Sequence, residues 1–369
     1  MYLKSLSLLN FKNYNKLEVD FCSKINCFTG KNGVGKTNIL DAIYYLSFCK
    51  SFFTSVDSFN IKHSDNLFVI NGQYLFNNET HENIYCSFEQ GKRKRFKRNK
   101  KEYDKLADHI GLIPLVMISP YDINLIIGGS DERRKFIDGI ISQYNRNYLY
   151  NLQSYNRALA QRNFILKQYG KTGCIDTEVL DLYNQQLAEY GSKIFNRRNN
   201  FIKEIIPVFQ KYFKHISKNN EQVSLLYSSQ LHSKNLTDLL AENIEKDKIA
   251  RYTTVGIHKD DLSLLLEDFP IKKLGSQGQQ KSYLTALKLA QFEYIQKQCG
   301  FKPILLLDDI FDKLDSERVE QIIILLSQNN FGQVFITDTN PERVNKVLKR
   351  INGEYFHYSV NNANIEKIQ

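Results

Sequence analysis

The stretch Gly30-Lys31-Asn32-Gly33-Val34-Gly35-Lys36-Thr37 limits the possible folds more than any other part of the chain. It has the spacing G-x-x-x-x-G-K-[ST], in which the glycines let consecutive backbone N–H groups converge on phosphate oxygens. A lysine at position 36 reaches the β- and γ-phosphates, and a hydroxyl at position 37 holds Mg²⁺. The pattern carries weight only between a strand and a helix, and both are expected here. Ile25-Asn26-Cys27-Phe28 is short, apolar and strand-like, and Ile39, Leu40, Ile43 and Leu46 recur at helical spacing. A glycine-rich turn without a ligand leaves Lys36 and Thr37 unexplained.

A phosphate loop needs a carboxylate partner. Residues 303–309, PILLLDD, form a continuous apolar run ending in Asp308 and Asp309, the reading of a buried parallel strand. A carboxylate at that strand end serves Mg²⁺ opposite the loop hydroxyl, and its neighbour can orient an attacking water. The long interval between Lys36 and Asp308 implies that a large domain interrupts the nucleotide fold.

The intervening pattern agrees. Short strands are expected around a turn at Asn13-Tyr14-Asn15, over Leu67–Ile70 and over Ile84–Phe88. From 131 to 216 helical spacing dominates, as in Tyr148, Leu152, Tyr155 and Leu159, with a break at Gly170–Gly173 and Pro207 inside the second helix. Two long antiparallel helices follow from this. Residues 217–250 read as loop plus helix, and strands return at 262–266 and 334–337 with a helix near 316–328 between them. The expected organisation is an α/β head at 1–130 and 251–369, interrupted by a mainly helical lobe at 131–250.

Of the 369 residues 42% are hydrophobic and 24% charged, an ordinary globular composition. No run of 18 apolar residues exists, which argues against a membrane span. The N-terminal residues lack the apolar length of a secretion signal, and the six cysteines contain no C-x-x-C pair. A cytoplasmic location with reduced thiols is expected. The net charge of +10 favours an anionic partner such as nucleic acid. Eight of the ten residues in KRKRFKRNKK (92–101) are basic. Two readings of this segment stand open: a solvated β-hairpin turning near Asn99, or a phosphate-contacting edge with Phe96 available to stack or pack.

A third element is Leu274-Gly275-Ser276-Gln277-Gly278-Gln279-Gln280, followed by helical spacing through Leu284 and Leu287. An N-capped helix explains it. So does a second anion cradle, which one nucleotide cannot easily share with the first within one subunit.

The order of these elements resembles the ATP-binding-cassette ATPases of the SMC type, and more narrowly the RecF family. Leu9-Asn10-Phe11-Lys12-Asn13-Tyr14, Ser119-Pro120-Tyr121-Asp122, Arg133-Arg134-Lys135-Phe136-Ile137-Asp138 and Gly256-Ile257-His258-Lys259-Asp260-Asp261 match further family segments. The resemblance covers residues 3 to about 340. It implies an α/β ABC-type phosphate-loop ATPase head with an inserted, mainly helical lobe. It implies that Gly30, Lys31, Asn32, Gly33, Val34, Gly35, Lys36, Thr37 and Asn38 bind ATP in one subunit, with Lys12 and Asn13 approaching it. It gives Ser276, Gly278 and Gln279 the role of contacting ATP bound to a second subunit, and Asp315 a place in the loop linking the two sites. Thr37 and Asp308 would hold Mg²⁺; Asp309 and Lys36 would be catalytic.

The implied activity is an ATP-dependent homodimeric clamp on DNA at single-strand/duplex junctions. It would act with RecO and RecR to load RecA in repair, replication restart and the SOS response. Asp rather than Glu at 309 sets the water one methylene further back and implies slow hydrolysis, below about 1 s⁻¹. Some positions depart from the family pattern. Tyr121 replaces an acid, Ile257 and Lys259 replace Pro and Arg, and Asp338 interrupts a threonine run, leaving Thr337 to sense the γ-phosphate. His258 is expected to support a salt-bridge cluster with Asp260 and Asp261. A transporter ATPase subunit is the competing class, but it would need a histidine switch near 335–340. An SMC-like structural tether would need far longer heptad arms than 131–216.

Overall fold

The computed structural model describes residues 1–76, 80–217, 221–311, 316–327, 331–349 and 353–368. The chain divides into two compact units. The first comprises Met1–Asp122, His215–Lys218 and Lys281–Gln369; the second comprises Ile123–Lys214 and Asn219–Gln280. The second unit thus extends beyond the expected lobe at 131–250 at both ends, and it includes the Ser276 turn.

In the first unit the chain forms β1 (Tyr2–Phe11), β2 (Tyr14–Asp20), β3 (Ile25–Thr29), α1 (Lys36–Phe48), β4 (Leu67–Leu75), β5 (His81–Glu89), β6 (Arg95–Arg98), β7 (Lys101–Glu102) and β8 (Leu115–Ile118). The second unit holds α2 (Asn124–Ile127), α3 (Ser130–Ser142), α4 (Arg146–Thr172), α5 (Thr177–Ser217), β9 (Val223–Ser228), α6 (Leu236–Glu242), α7 (Ile244–Ala250), β10 (Asp261–Leu266), β11 (Phe269–Pro270) and α8 (Ile271–Leu274). After α9 (Gln277–Cys299) the first unit is completed by β12 (Ile304–Asp308), α10 (Ser316–Ser327), β13 (Val334–Asp338), α11 (Pro341–Lys349), β14 (Tyr355–Asn361) and β15 (Asn364–Lys367).

Two six-stranded sheets build the first unit. One has the order β15-β14-β3-β13-β12-β8 and is parallel apart from its β15 edge. Every residue of β3, β12 and β13 is buried, which is why their sequences run apolar without alternation. The other sheet, β2-β1-β4-β5-β6-β7, is antiparallel. Its β4 strand alternates strictly between buried and half-buried residues, as a sheet with one core face requires. Buried Gln333 ties the two together: its amide exchanges hydrogen bonds with the Leu3 backbone at 2.7 and 2.8 Å and donates to the Cys22 carbonyl at 2.8 Å. Phe21 packs edge-on against Phe335 at 4.9 Å, and Phe28 stacks on Tyr358 at 5.1 Å.

The second unit is built on α4 and α5, which have 27 and 41 residues, with Pro207 inside α5. Gly173, in the left-handed region at φ 70°, caps α4. A three-stranded sheet, β11-β10-β9, adjoins the helices. The strand β9 corrects the expectation of loop plus helix over 217–250. Val223, Leu225 and Tyr227 are buried and alternate with Ser224, Leu226 and Ser228, a period-two signal short enough to be lost in its polar surroundings.

Arg198 is buried at the centre of this unit. It reaches Asp138 at 2.9 Å, Asp260 at 3.2 Å and the Ile257 carbonyl at 2.9 Å, and the Tyr227 hydroxyl donates to Asp260. His258 lies outside that ionic network, contrary to expectation. Its ring meets the Tyr155 hydroxyl at 2.9 Å and the Thr253 carbonyl at 3.1 Å. Burial pushes its pKa down to about 4, so it stays neutral and packs rather than pairing with a carboxylate. Asp261 pairs with Arg133 instead, at 2.7 Å. Among the described residues no helix is long and apolar enough to cross a membrane.

Candidate nucleotide site

The site lies where the parallel strands end. Asp308 of β12 is paired in register with Thr337 of β13, which in turn is paired with Phe28 of β3. The chain leaves β3 at Thr29 and enters the glycine loop immediately. Ligands of open α/β sheets bind beyond the carboxyl ends of the strands for this reason: loops leave there and helix N-termini point back.

Two glycines are required by close approach. A Cβ on Gly30 would lie 2.3 Å from the Val360 carbonyl oxygen of β14. At Gly35, with φ 117°, a Cβ would meet the Asn13 amide at 2.5 Å and the Tyr14 hydroxyl at 2.8 Å. The loop is braced from β1–β2 as well. The Asn13 amide donates to the Val34 carbonyl at 3.1 Å and accepts from Asn38 at 2.7 Å, and the Tyr14 hydroxyl donates to the Gly35 carbonyl at 3.2 Å. Gly35 caps α1, whose first turn carries Lys36 and Thr37.

Within the hollow the Lys36 ammonium donates to the carbonyls of Gly30 and Lys31, both at 2.8 Å. Burial lowers its pKa, and the carboxylates of Asp309 and Asp308 act against that shift. The Thr37 hydroxyl donates to Asp308 Oδ1 at 2.8 Å, and the Thr337 hydroxyl donates to the same oxygen at 2.8 Å. Burial raises the Asp308 pKa despite these hydroxyls. Asp309 takes a left-handed conformation at φ 48°, and its backbone N–H donates to Thr337 Oγ1 at 3.1 Å. Thr337 is therefore the clamp between the two aspartates, a role its sequence position at the end of β13 foreshadows only once the register is known.

Asn32, Gly33, Gly35, Lys36, Thr37, Asn38, Asp308, Asp309 and Thr337 line a half-open hollow of about 140 Å³. These residues fit a phosphate–metal group: an ammonium, a helix N-terminus, a hydroxyl and a buried carboxylate converge.

Other expected residues lie as follows. The Lys12 ammonium is held 2.5 Å from Asp41 of α1 and 5.0 Å above the Phe53 ring. Asp41, which also accepts from Ser51 and the Phe52 N–H, carried no sequence signal beyond being an acid in an apolar helix. Ser276 and Gln279 form a reciprocal capping box at the start of α9: Gln279 N donates to Ser276 Oγ at 3.2 Å, and Ser276 N donates to Gln279 Oε1 at 2.8 Å. Ser276 is exposed and Gly278 half-buried beside it. Tyr121 is exposed against Phe53 at 5.1 Å, while Asp122 pairs with Lys288 at 2.7 Å. Asp338 is buried and accepts from the Asn340 N–H at 2.7 Å. Asp315 lies outside the described residues.

Comparison with known proteins finds relatives along the whole chain. The family described as RecF/RecN/SMC N terminal domain matches residues 2–361. The DNA replication and repair protein RecF of Bacteroides fragilis is 50% identical over 369 residues, covering all of this chain and 99% of the relative. That of Flavobacterium johnsoniae is 51% identical over 355 residues, 96% of this chain and 99% of the relative. The solved structure of the recombination mediator protein RecF with ATP, in the RecFOR pathway, superimposes with a TM-score of 0.90 at 29% identity, covering 100% of this chain and 98% of that one. The Smc head domain from Pyrococcus furiosus, at 18% identity and a TM-score of 0.58, shares the fold.

Proposed function

The chain belongs to the RecF family of SMC-type ATPases, and from that premise we propose that it is an ATP-gated DNA clamp of recombinational repair and replication. The observation that carries this reading is the convergence of Lys36, Thr37, Asp308, Asp309 and Thr337 on one hollow, assembled from opposite ends of the sequence.

Residues 30–38 hold the phosphates of ATP, with Lys36 transferring its ammonium from the loop carbonyls to phosphate oxygens. Thr37 and Asp308 would hold Mg²⁺, which would supply positive charge against the β- and γ-phosphates. Asp309 orients the attacking water and accepts its proton; the γ-phosphorus gains that oxygen and loses its bond to ADP. Thr337 keeps both aspartates in place throughout.

A hollow of about 140 Å³ is small beside ligand pockets of ~300 Å³ and more. It encloses phosphates and leaves the rest of a nucleotide uncovered. That supports a sandwich in which Ser276, Gly278 and Gln279 of a second copy close over the γ-phosphate, so that ATP joins a homodimer. Lys12 and Asn13 flank the same nucleotide. The dimer holds DNA at single-strand/duplex junctions, works with RecR and RecO in the cytoplasm, and loosens as the slow ATPase removes the bridging phosphate.

Sedimentation velocity tests this. With Mg²⁺, a non-hydrolysable ATP analogue and gapped DNA, the chain should sediment as a DNA-bound dimer, and as a monomer without nucleotide. A chain that stays monomeric at saturating analogue overturns the sandwich.

A further inference from the structure

The basic segment 92–101, which forms the β6–β7 hairpin, is left unused by the nucleotide chemistry, and six of its eight cations fall into two classes. Three are committed to carboxylates: Lys92 to Glu89 at 2.8 Å, Lys94 to Asp57 at 2.8 Å and Arg98 to Glu82 at 2.5 Å. Lys94 is structural, since its ammonium also meets the Tyr45 hydroxyl and the Cys49 carbonyl at the end of α1. Arg95, Lys97 and Lys100 have no ion pair among the described residues. Lys97 lies over the Tyr85 ring at 5.8 Å, which leaves its charge uncompensated.

The fold presents these three together. Phe96 is buried in the core, so the strand turns Arg95 and Lys97 to the opposite face of the sheet. The turn is pinned. Asn99 and Lys100 both have positive φ, at 49° and 71°, which is the twist-matched two-residue hairpin turn. The Asn99 side chain bonds Glu82 at 2.7 Å and the Asn83 N–H at 2.8 Å. Lys100 therefore stands on a preorganised tip. Along the outward face, Lys97 is in register with Tyr85, then Asn71, then Ser7, and Arg95 is in register with Ser87. This is a row of neutral hydrogen-bonding groups beside the cations; it ends at Glu18, opposite Ser7, and Glu102, opposite Lys97, is the carboxylate adjoining the cations in register.

We propose that this outward face, with Arg95, Lys97 and Lys100 as its cations, is a contact for the phosphodiester backbone of DNA. The inference rests on the DNA-clamp reading and deepens it by naming a surface. Fixed cations at alternate strand positions stand about 6.8 Å apart, within reach of successive phosphates, and the neighbouring hydroxyls and amide add sequence-independent hydrogen bonds. With Phe96 withdrawn into the core, the hairpin offers no apolar anchor for a membrane surface.

Fluorescence anisotropy on the full chain with gapped DNA, ATP analogue and varied salt tests it. Replacing Arg95, Lys97 and Lys100 by Gln should weaken binding about tenfold or more and reduce the log–log salt slope by about 0.9 per lost contact. Glu102→Gln should tighten binding, an effect that misfolding cannot imitate. A control replacing exposed Lys167, Lys171 and Lys203 by Gln removes the same net charge from α4 and α5.

The proposal falls if control and hairpin variants weaken binding equally, or if Glu102→Gln leaves it unchanged. It also falls if the hairpin variant loses affinity for anionic phospholipid vesicles while keeping its affinity for DNA. Failure of the unmodified chain to bind DNA would overturn the clamp reading itself, whereas normal binding by the triple variant would overturn only the hairpin's role.

Discussion

Thr37 Oγ1 and Asp308 Oδ1 lie 2.8 Å apart although 271 residues separate them in the chain. The hydroxyl begins α1 and the carboxylate ends β12. Their meeting makes the glycine loop and the apolar strand one site, with Thr337 donating to the same oxygen.

Asp308 is held for function at the expense of stability. Burial raises its pKa, so the folded state keeps a proton that the unfolded chain releases near the ordinary aspartate value. Stability of the nucleotide-free protein should therefore fall as pH rises from that value through the raised one. Asp308→Asn removes the ionisation while still accepting from both threonines. It should raise the melting temperature at neutral pH by a few degrees and cut ATP hydrolysis by about two orders of magnitude or more. Calorimetry alongside a phosphate-release assay reads both; a lower melting temperature would contradict the assignment of burial as the cause.

Lys36→Ala and Ser276→Arg should separate binding from assembly. The first removes the ammonium that reaches the phosphates, and ATP affinity should fall by about a hundredfold, with dimerisation lost as a consequence. The second places a bulky cation at an exposed turn, so ATP binding by the monomer should persist while dimers fail to form. Equilibrium dialysis and light scattering distinguish them, and normal ATP-dependent dimers of Ser276→Arg would refute the shared-nucleotide arrangement.

Gly35→Ala should damage the loop in two ways. A left-handed residue acquires a Cβ, and that Cβ lies 2.5 Å from the Asn13 amide. The expected cost is about 1–3 kcal/mol in urea unfolding, accompanied by loss of ATP binding. Gly33→Ala, where no atom lies within 4 Å of the new Cβ, should suffer less from crowding.

Buried His109 should dominate part of the acid limb of stability. Its ring nitrogens meet the Leu46 carbonyl at 2.6 Å and the Tyr103 hydroxyl at 3.1 Å, and burial pushes its pKa down to about 4. The folded protein keeps it neutral while the unfolded chain protonates near 6.5. Its contribution is complete above pH 6.5 and is lost as pH falls toward 4, amounting to about 3 kcal/mol. Urea midpoints between pH 8 and 4 should drop less steeply for His109→Gln than for the unsubstituted chain.

The sequence by itself determined the phosphate loop, the apolar strand with its two aspartates, the helical insertion and the family. Each is a local pattern whose chemistry needs its residues at fixed spacing along the chain. Turn chemistry was legible too: the hairpin at Asn99 needs only residues that tolerate positive φ. Only the tertiary structure decided what lies between distant segments. That Thr337 clamps both aspartates depends on strand register, and that Asp41 holds Lys12 depends on α1 crossing the first strands. Phe96 belongs to the core while Arg95 and Lys97 face outward because the pleat sends alternate residues to opposite sides, and which side is inward is set by what packs there. His258 carries no charge because burial, invisible in a one-dimensional pattern, outweighs the carboxylates next to it in sequence.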